Sequence, residues 1–358
     1  MKMDNREEGV WRELISISDR SEMPSVSKMQ TLAHFCAKVA GVLPGRGLYL
    51  LVKRVLVRMN RRYLAGLCDL ERFSRGRFTN EEVRSYRKVM RIRKGYYDYD
   101  FFNVCFLNNV LALCLKAVSE GYIPRVEILN ASGENIWEKF FEQPYADLPT
   151  QDLEVMDYDE KALEAFPWWD DIYIPGQRKQ YELLYARFAR LNAQTHDYAK
   201  QEAENLLQGR KVLGVLCRGT DYTATRPKEH PVQPEPTQIM ERVREVYRQG
   251  GYDHIYLATE DGEYDRLFRK EYGDRLLINK RNYYDQVFSD QNLKRIIHVH
   301  FDRKDDDYLK GLEYISSLQI LAHCDGLVAG NCGGTQAAVL WNGDRYREAH
   351  VFDAGEYA

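Results

Sequence analysis

The sequence predicts an α/β protein: two Rossmann-like domains with a crevice between them, preceded by a helical extension. Three observations carry this. The chain has 358 residues, more than one average core holds and enough for two cores with an appendage. From Asp100 onward, short apolar runs alternate with amphipathic stretches, the pattern of strands and crossover helices in parallel sheets. Polar and glycine-rich clusters follow several of the runs, where such sheets bind ligands.

Residues 1–95 read as a helical, irregular and basic region. Between Pro44 and Lys94 there are 15 Lys and Arg against 4 Asp and Glu, although the whole chain carries a net charge of −3. The net charge argues against a nucleic-acid binder, while the asymmetry points to an anionic surface as partner. Residues 43–62 repeat apolar positions at helical spacing, decorated by Lys53, Arg54, Arg58, Arg61 and Arg62. Such a helix either lies peripherally on an anionic membrane or packs on the body with its arginines solvated.

Residues 96–208 are the first expected Rossmann-like domain. Phe101–Leu107 reads as a buried strand, Asn108-Asn109 as its turn, Val110–Glu120 as a helix and Ile123–Leu129 as the next strand, a βαβ unit. An aromatic-rich helix and loop follow over Asn135–Pro144. Tyr181–Gln208 reads as one long helix of the kind that crosses between domains. Residues 209–358 are the second domain. Its strands are placed at Val212–Cys217, His254–Thr259, Arg275–Ile278, Gly326–Gly330 and His350–Asp353. Its helices are placed at Thr237–Gln249, from Asp261 to Tyr272, Leu309–His323 and Thr335–Trp341, with a polar loop over about 280–308.

Three of these strand ends carry the chemistry. After the first comes Arg218-Gly219-Thr220-Asp221. A guanidinium on the rigid end of a buried strand can fork onto a diphosphate, and glycine lets the backbone approach an anion; an Arg–Asp pair that holds the loop is the plain alternative. After the second comes Glu260-Asp261, able to accept from ribose hydroxyls or a base amine, or to cap the next helix. After the third comes Asn331-Cys332-Gly333-Gly334-Thr335-Gln336, whose glycines would expose helix N-terminal amides to an anion. Together they describe a cationic, amide-rich crevice for a pyrophosphate.

Other signals are weaker. Asp98-Tyr99-Asp100 fits a short metal pattern but precedes a strand, so no metal is expected. Asp305-Asp306-Asp307 reads as a solvated loop. There is no P-loop lysine, nucleophile elbow or GxGxxG. The seven cysteines form no CxxC pair and read as reduced core residues. With no signal-like apolar start and no membrane-length run, a cytoplasmic protein is expected, with the inner membrane face as its place if residues 43–62 bind lipid.

On these motifs the chain resembles the fucosyltransferases of the α1,6/α1,2 and protein O-fucosyl superfamily, with nodulation-type chitooligosaccharide enzymes and core α1,6-fucosyltransferases as the nearest patterns. GVLCRGTD resembles the first motif, IYLATED the second, and EYISSLQILAHCDGLVAG with NCGGTQ the third. The resemblance spans about residues 100–345. It implies a GT-B-like fold with an acceptor-side first domain and a donor-side second domain. It implies a metal-independent, inverting transferase that needs no cofactor and moves fucose from the donor substrate GDP-fucose to a glycan hydroxyl, in surface polysaccharide synthesis.

Arg218 matches the arginine on the donor β-phosphate, and Asp221 the acidic residue of that motif. Glu260 and Asp261 match the acidic pair, Thr335 and Gln336 the end of the phosphate turn. Ser317 falls near a base-recognising position, with Glu313 a turn earlier. The turn at Asn108-Asn109 resembles the donor loop of the first domain. Gly219, Thr220, Asn331, Gly333 and Gly334 complete the expected donor site, with Asp221 and His230 as candidates for the general base. The chain departs from the pattern at Leu216, where many members have a histidine on guanine, at Tyr222 in place of a basic residue, and at Arg226 in place of an acidic one. Transfer of another sugar from another nucleotide, and a non-catalytic nucleotide- or glycan-binding protein, stay open as alternatives. Neither linkage nor oligomeric state is implied.

Overall fold

The structure, a computed structural model, describes residues 15–18, 33, 35–39, 42–43, 46–58, 62–93, 104–130, 132–158, 172–173, 177–228, 230–290, 293 and 298–358. It divides into two compact units. One holds Ala193–Ala358 together with Met1–Met23, and the other Pro24–Asn192. The boundaries expected at residues 95/96 and 208/209 therefore move.

Strand β1 (Ile15–Ser18) belongs to the larger unit. The smaller unit runs through α1 (Arg46–Arg58), α2 (Arg62–Ser74), α3 (Asn80–Arg84), β2 (Lys88–Arg93), α4 (Val104–Glu120), β3 (Ile123–Glu127), α5 (Ile136–Phe140), β4 (Glu154–Asp157) and α6 (Arg178–Phe188). Its strands form a parallel sheet in the order β3-β2-β4. Strand β2 is central, yet it lies within the stretch expected to be helical and separate. Its charged positions hid it: Lys88 pairs with Glu154, Arg91 with Asp157 and Arg93 with Glu127 across the sheet. Lys88 lies on one face of the strand and Arg91 and Arg93 on the other, so these pairs stabilise both faces, while Val89, Met90 and Ile92 are buried.

Two further expectations are corrected here. Where the apolar run before Asn108 predicts a strand, residues 104–107 open α4, and Asn108 and Asn109 lie inside that helix instead of in a turn. Asn108 is buried and accepts a hydrogen bond from the Tyr185 hydroxyl, a structural role. Residues 101–103 of that run, and the Asp98-Tyr99-Asp100 motif, lie outside the described residues. The single long helix expected over Tyr181–Gln208 is two, α6 and α7 (Ala193–Leu207), broken where one unit ends and the other begins.

After α7 the larger unit continues with β5 (Val212–Cys217), α8 (Asp221–Thr225), α9 (Pro236–Gly250), β6 (His254–Thr259), α10 (Gly262–Tyr272), a 3-10 turn, β7 (Leu276–Leu277), α11 (Asp285–Asp290), α12 (Asp306–His323), β8 (Gly326–Gly330), α13 (Gly333–Asn342) and β9 (Glu348–Phe352). Six strands, all parallel to their neighbours, stand in the order β1-β9-β8-β5-β6-β7. Strand β5 is buried along its whole length, as a central strand covered on both faces must be. Its residues Leu213, Val215 and Cys217 pack with Ile239 and Val243 of α9 and Phe268 of α10. On the other face Gly214 lets α12 close in: a Cβ there would lie 3.1 Å from Leu321 and 3.2 Å from Cys324.

The strand order creates the feature that matters for ligands. From β5 the chain steps outward through β6 to β7, then returns to the opposite side of β5 to lay down β8 and β9. The switch in direction falls between β5 and β8, and the carboxyl ends of strands at such a point diverge into a crevice.

His350, in β9, is buried with its ring edge-on to Phe352 at 4.7 Å. Burial, with the Arg242 guanidinium adding to it, pulls its imidazole from 6.5 down to about 4. A depressed folded-state value favours the neutral ring, so this stability is present above about pH 6.5 and is lost as pH falls toward about 4. The loss is on the order of 3 kcal/mol. Urea unfolding of the parent and of His350→Gln at pH 7 and pH 4 checks this: the variant should lose less stability on acidification, and equal losses would contradict it.

Candidate functional site

The strand ends that flank the switch point are level. Cys217 pairs with Thr259 and Leu216 with Ala329, so Arg218, Glu260 and Asn331 leave their strands side by side. The three segments singled out in the sequence therefore meet within one unit.

The turn after β5 is organised by carboxylates. Arg218 donates through Nη1 to Glu260 Oε1, and the Gly219 amide donates to the same oxygen at 3.1 Å. The Thr220 amide donates to Asp261 Oδ2 at 3.0 Å and its hydroxyl reaches that oxygen at 3.4 Å. Asp261 also caps α10 by accepting from the Glu263 amide at 2.9 Å. Glycine at 219 is demanded by this packing, because a Cβ there would lie 2.9 Å from the Asp261 Cβ. The acidic pair thus holds the arginine turn, and Asp261 fills the cap role that the sequence offered beside ribose or base contacts. The Arg–carboxylate pair exists, with Glu260 as partner.

Thr220 takes φ +47° and ψ −106°. Positive φ is a genuine outlier for a β-branched residue, costs about 1–3 kcal/mol, and survives only where neighbours enforce it. Here the Asp261 carboxylate enforces it. Burial first, then the charges of Glu260 and Asp261, push the Cys217 thiol well above its usual range. It is a packed, unreactive thiol, and Cys36, Cys68, Cys114, Cys217, Cys324 and Cys332 are all free thiols.

The Arg218 guanidinium lies over the Tyr222 ring, 4.6 Å from its centroid, and the same ring meets His230 edge-on at 5.5 Å. His230 is exposed, with Nδ1 2.9 Å from the Lys228 carbonyl. Donation from Nδ1 to that carbonyl leaves Nε2 as the acceptor nitrogen of the neutral ring. Arg218 and His230 therefore gather around Tyr222, a residue the sequence marked only as a departure. Asp221 is the first residue of α8.

Across the switch point, α13 starts at Gly333 after Cys332, which offers no side-chain cap. The first amides of a helix have no intrahelical acceptor and carry the positive end of the dipole. Thr335 is buried and its hydroxyl donates to the Gly330 carbonyl at 2.6 Å, so it ties helix to strand instead of facing outward. Gln336 is buried in α13, its amide bonded to the Cys332 carbonyl.

The sequence did not point to two neighbours. Gln233 donates through Nε2 to the Asn331 carbonyl at 2.8 Å, and the Tyr314 hydroxyl would stand 3.3 Å from a Cβ on Gly334. Gln233 lies outside the three motifs, and Tyr314 lies inside the third, where the sequence alone does not mark its hydroxyl as a neighbour of the α13 N-terminus. Ser317 is buried and donates to the Tyr314 carbonyl one turn back at 2.7 Å. Glu313 is gripped by Arg303 at 2.6 and 3.1 Å. Asn108 and Asn109 belong to the other unit.

The aspartates read as a solvated loop form the start of α12. Asp306 pairs with Arg303 at 2.6 Å and Asp307 with Lys310 at 2.7 Å. With His300 they bring three metal-type ligand atoms within 4.8 Å, but both carboxylates are engaged by cations. Among the described residues, no helix is long and apolar enough to cross a membrane.

No family model matches the chain, and no curated protein matches it. Solved structures that it resembles include fucosyltransferases. NodZ α1,6-fucosyltransferase soaked with GDP-fucose aligns over 72% of this chain and 93% of its own, at 13% identity and a TM-score of 0.40. POFUT1 in complex with GDP aligns over 75% and 99%, at 12% identity and 0.39. A variant of Arabidopsis thaliana FUT1 with GDP aligns over 80% and 78%, at 9% identity and 0.39. The similarity lies in the course of the backbone, at a level that transfers neither ligand nor residue role.

Removing the carboxylate that enforces the turn should be costly. Asp261→Ala leaves the Thr220 amide without its acceptor and α10 without its cap, an expected loss of about 2–4 kcal/mol. Asp261→Asn, which keeps one acceptor oxygen, should lose less than half of that. Denaturant unfolding at neutral pH measures both, and equal small losses would show that the turn does not depend on this residue.

Proposed function

We propose that the chain is a glycosyltransferase that binds a nucleotide-sugar diphosphate at the switch point of its larger sheet. The proposed reaction moves fucose from GDP-fucose to a glycan hydroxyl, with inversion and without a metal ion. One observation carries this reading: a guanidinium fixed at the end of the central strand stands level with the start of α13. Fucose and guanine as the donor's sugar and base rest on the resemblance of the three motifs, in their order along the chain, to those of the fucosyltransferases.

In this reading Arg218 and the first amides of α13 meet the diphosphate. Glu260 holds the guanidinium in place. The acceptor oxygen attacks the anomeric carbon as the bond from that carbon to the phosphate oxygen breaks. The electron pair of that bond leaves with the diphosphate, where fixed cationic and amide groups stabilise the growing charge. The acceptor's proton passes to a base, for which His230 Nε2 is the geometric candidate and Asp221 the alternative. A glycan acceptor in surface polysaccharide synthesis fits the proposed chemistry.

The Arg218–Glu260 pair also favours a second reading, a binding protein in which the arginine only orders the loop. Calorimetry with GDP, UDP and ADP separates the two. GDP should bind best, and Arg218→Ala should weaken it about 100-fold, the scale of a lost charge-assisted contact. Undiminished binding by Arg218→Ala would overturn the assignment. GDP binding without release of fucose from GDP-fucose, to water or to any glycan tested, would favour the binding protein.

The proposed base makes a separate prediction. His230→Gln should leave GDP affinity within about twofold but lower kcat by about 100-fold or more. Unchanged turnover would exclude the imidazole as the base.

A further inference from the structure

Helix α1 turns one side into the smaller unit. Tyr49 is buried, bonded to Asp69 and covered by the Arg72 guanidinium at 4.3 Å from its ring. Lys53, expected among the solvated charges, is also buried. It pairs with Asp69 at 2.7 Å and donates to Ser119 at 2.7 Å. Leu50 and Leu56 pack against the cluster of Ala37, Tyr49, Leu67 and Cys68.

The other side is apolar and uncovered among the described residues. Leu48 is 47% exposed, Leu51 57% and Val55 45%. At 100° per residue the three fall within an arc of about 60°. Arg58 and Arg54 follow along one border of that arc, and both are exposed. In the chain just before α1, Phe35, Val39 and Val42 are exposed as well. Monomeric proteins seldom leave large aliphatic side chains clustered in this way without an interaction to serve.

Charge selects the occupant. Residues 23–68 contain eight Lys and Arg and no Asp or Glu. The acids that follow are turned inward: Asp69 holds Lys53, and Glu71 is bonded to Arg75. An apolar arc with a cationic border is complementary to a surface that offers hydrocarbon beneath a layer of negative charge. A second copy of the chain would set arginines against arginines around a two-fold axis.

We infer that the outer face of α1, with Leu48, Leu51 and Val55 as its apolar arc and Arg54 and Arg58 as its border, docks the protein on an anionic lipid bilayer. The helix lies in the plane of the interface, with the arginines at the headgroups. The inference is independent of what the larger unit binds.

Co-sedimentation of the full chain with vesicles tests it. With phosphatidylcholine containing about a third phosphatidylglycerol, the protein should pellet at low salt and be released as salt rises to about 0.5 M. With phosphatidylcholine alone it should stay in the supernatant. Arg54→Gln with Arg58→Gln should lower the partition coefficient about 30-fold, at roughly fivefold for each charge. Leu48→Ser with Leu51→Ser and Val55→Ser should lower it at least tenfold while GDP affinity and circular dichroism stay as in the parent, since all three side chains are exposed.

Equal pelleting with neutral vesicles, no pelleting at all, or unchanged partitioning of either variant would overturn the inference. So would a concentration-dependent dimer in light scattering that the triple serine variant abolishes, because a second copy would then be the occupant.

Discussion

The hold of the acidic pair after β6 on the turn after β5 is the constraint on which the rest of the candidate site depends. Glu260 fixes Arg218 and the Gly219 amide, and Asp261 fixes Thr220 in a backbone conformation it would not otherwise keep. The two strands are adjacent and in register, so these short bonds follow from sheet pairing. A guanidinium held in this way has lost its rotational freedom before any ligand arrives, and that lowers the entropy cost of binding an anion. The strain at Thr220 belongs to the same arrangement: it is stored in the fold and maintained by a neighbouring carboxylate.

The parallel sheet supplies the second element. Because the chain leaves β5 in one direction and returns to its other side for β8, the α13 N-terminus comes to stand beside the arginine turn. In the proposed site, charge from a side chain and partial charge from backbone amides act together on the diphosphate. Both are fixed in place, the condition under which such groups stabilise developing negative charge most effectively.

Much of this was legible in the sequence. The bounds of β5, β6 and β8 could be read directly, because strands buried on both faces appear as unbroken apolar runs ended by polar turns. Asp261 as a helix cap was also readable. What escaped has physical causes. Strand β2 carries charge on both faces, Lys88 on one and Arg91 and Arg93 on the other, and reads as loop or helix until its partners are known. The apolar run before Asn108 is too short for periodicity to distinguish strand from helix, and Tyr185, far along the chain, is what satisfies the buried Asn108. Ser317 appears available in the sequence, but in a helix its hydroxyl turns back to a carbonyl of its own preceding turn, as helical serines do. Gln233, outside the motifs, and Tyr314, inside the third but unmarked there, can be assigned to the site only from the fold.

The central claim is that the arginine turn and the α13 N-terminus form one anion site. It is tested most directly by the backbone amide resonances of Gly219, Gly333 and Gly334 during titration with GDP. The account predicts that these amides move together, downfield and along one saturation curve, while amides of the smaller sheet stay in place. Movement confined to other residues, or Gly219 and Gly333 following different curves, would contradict it.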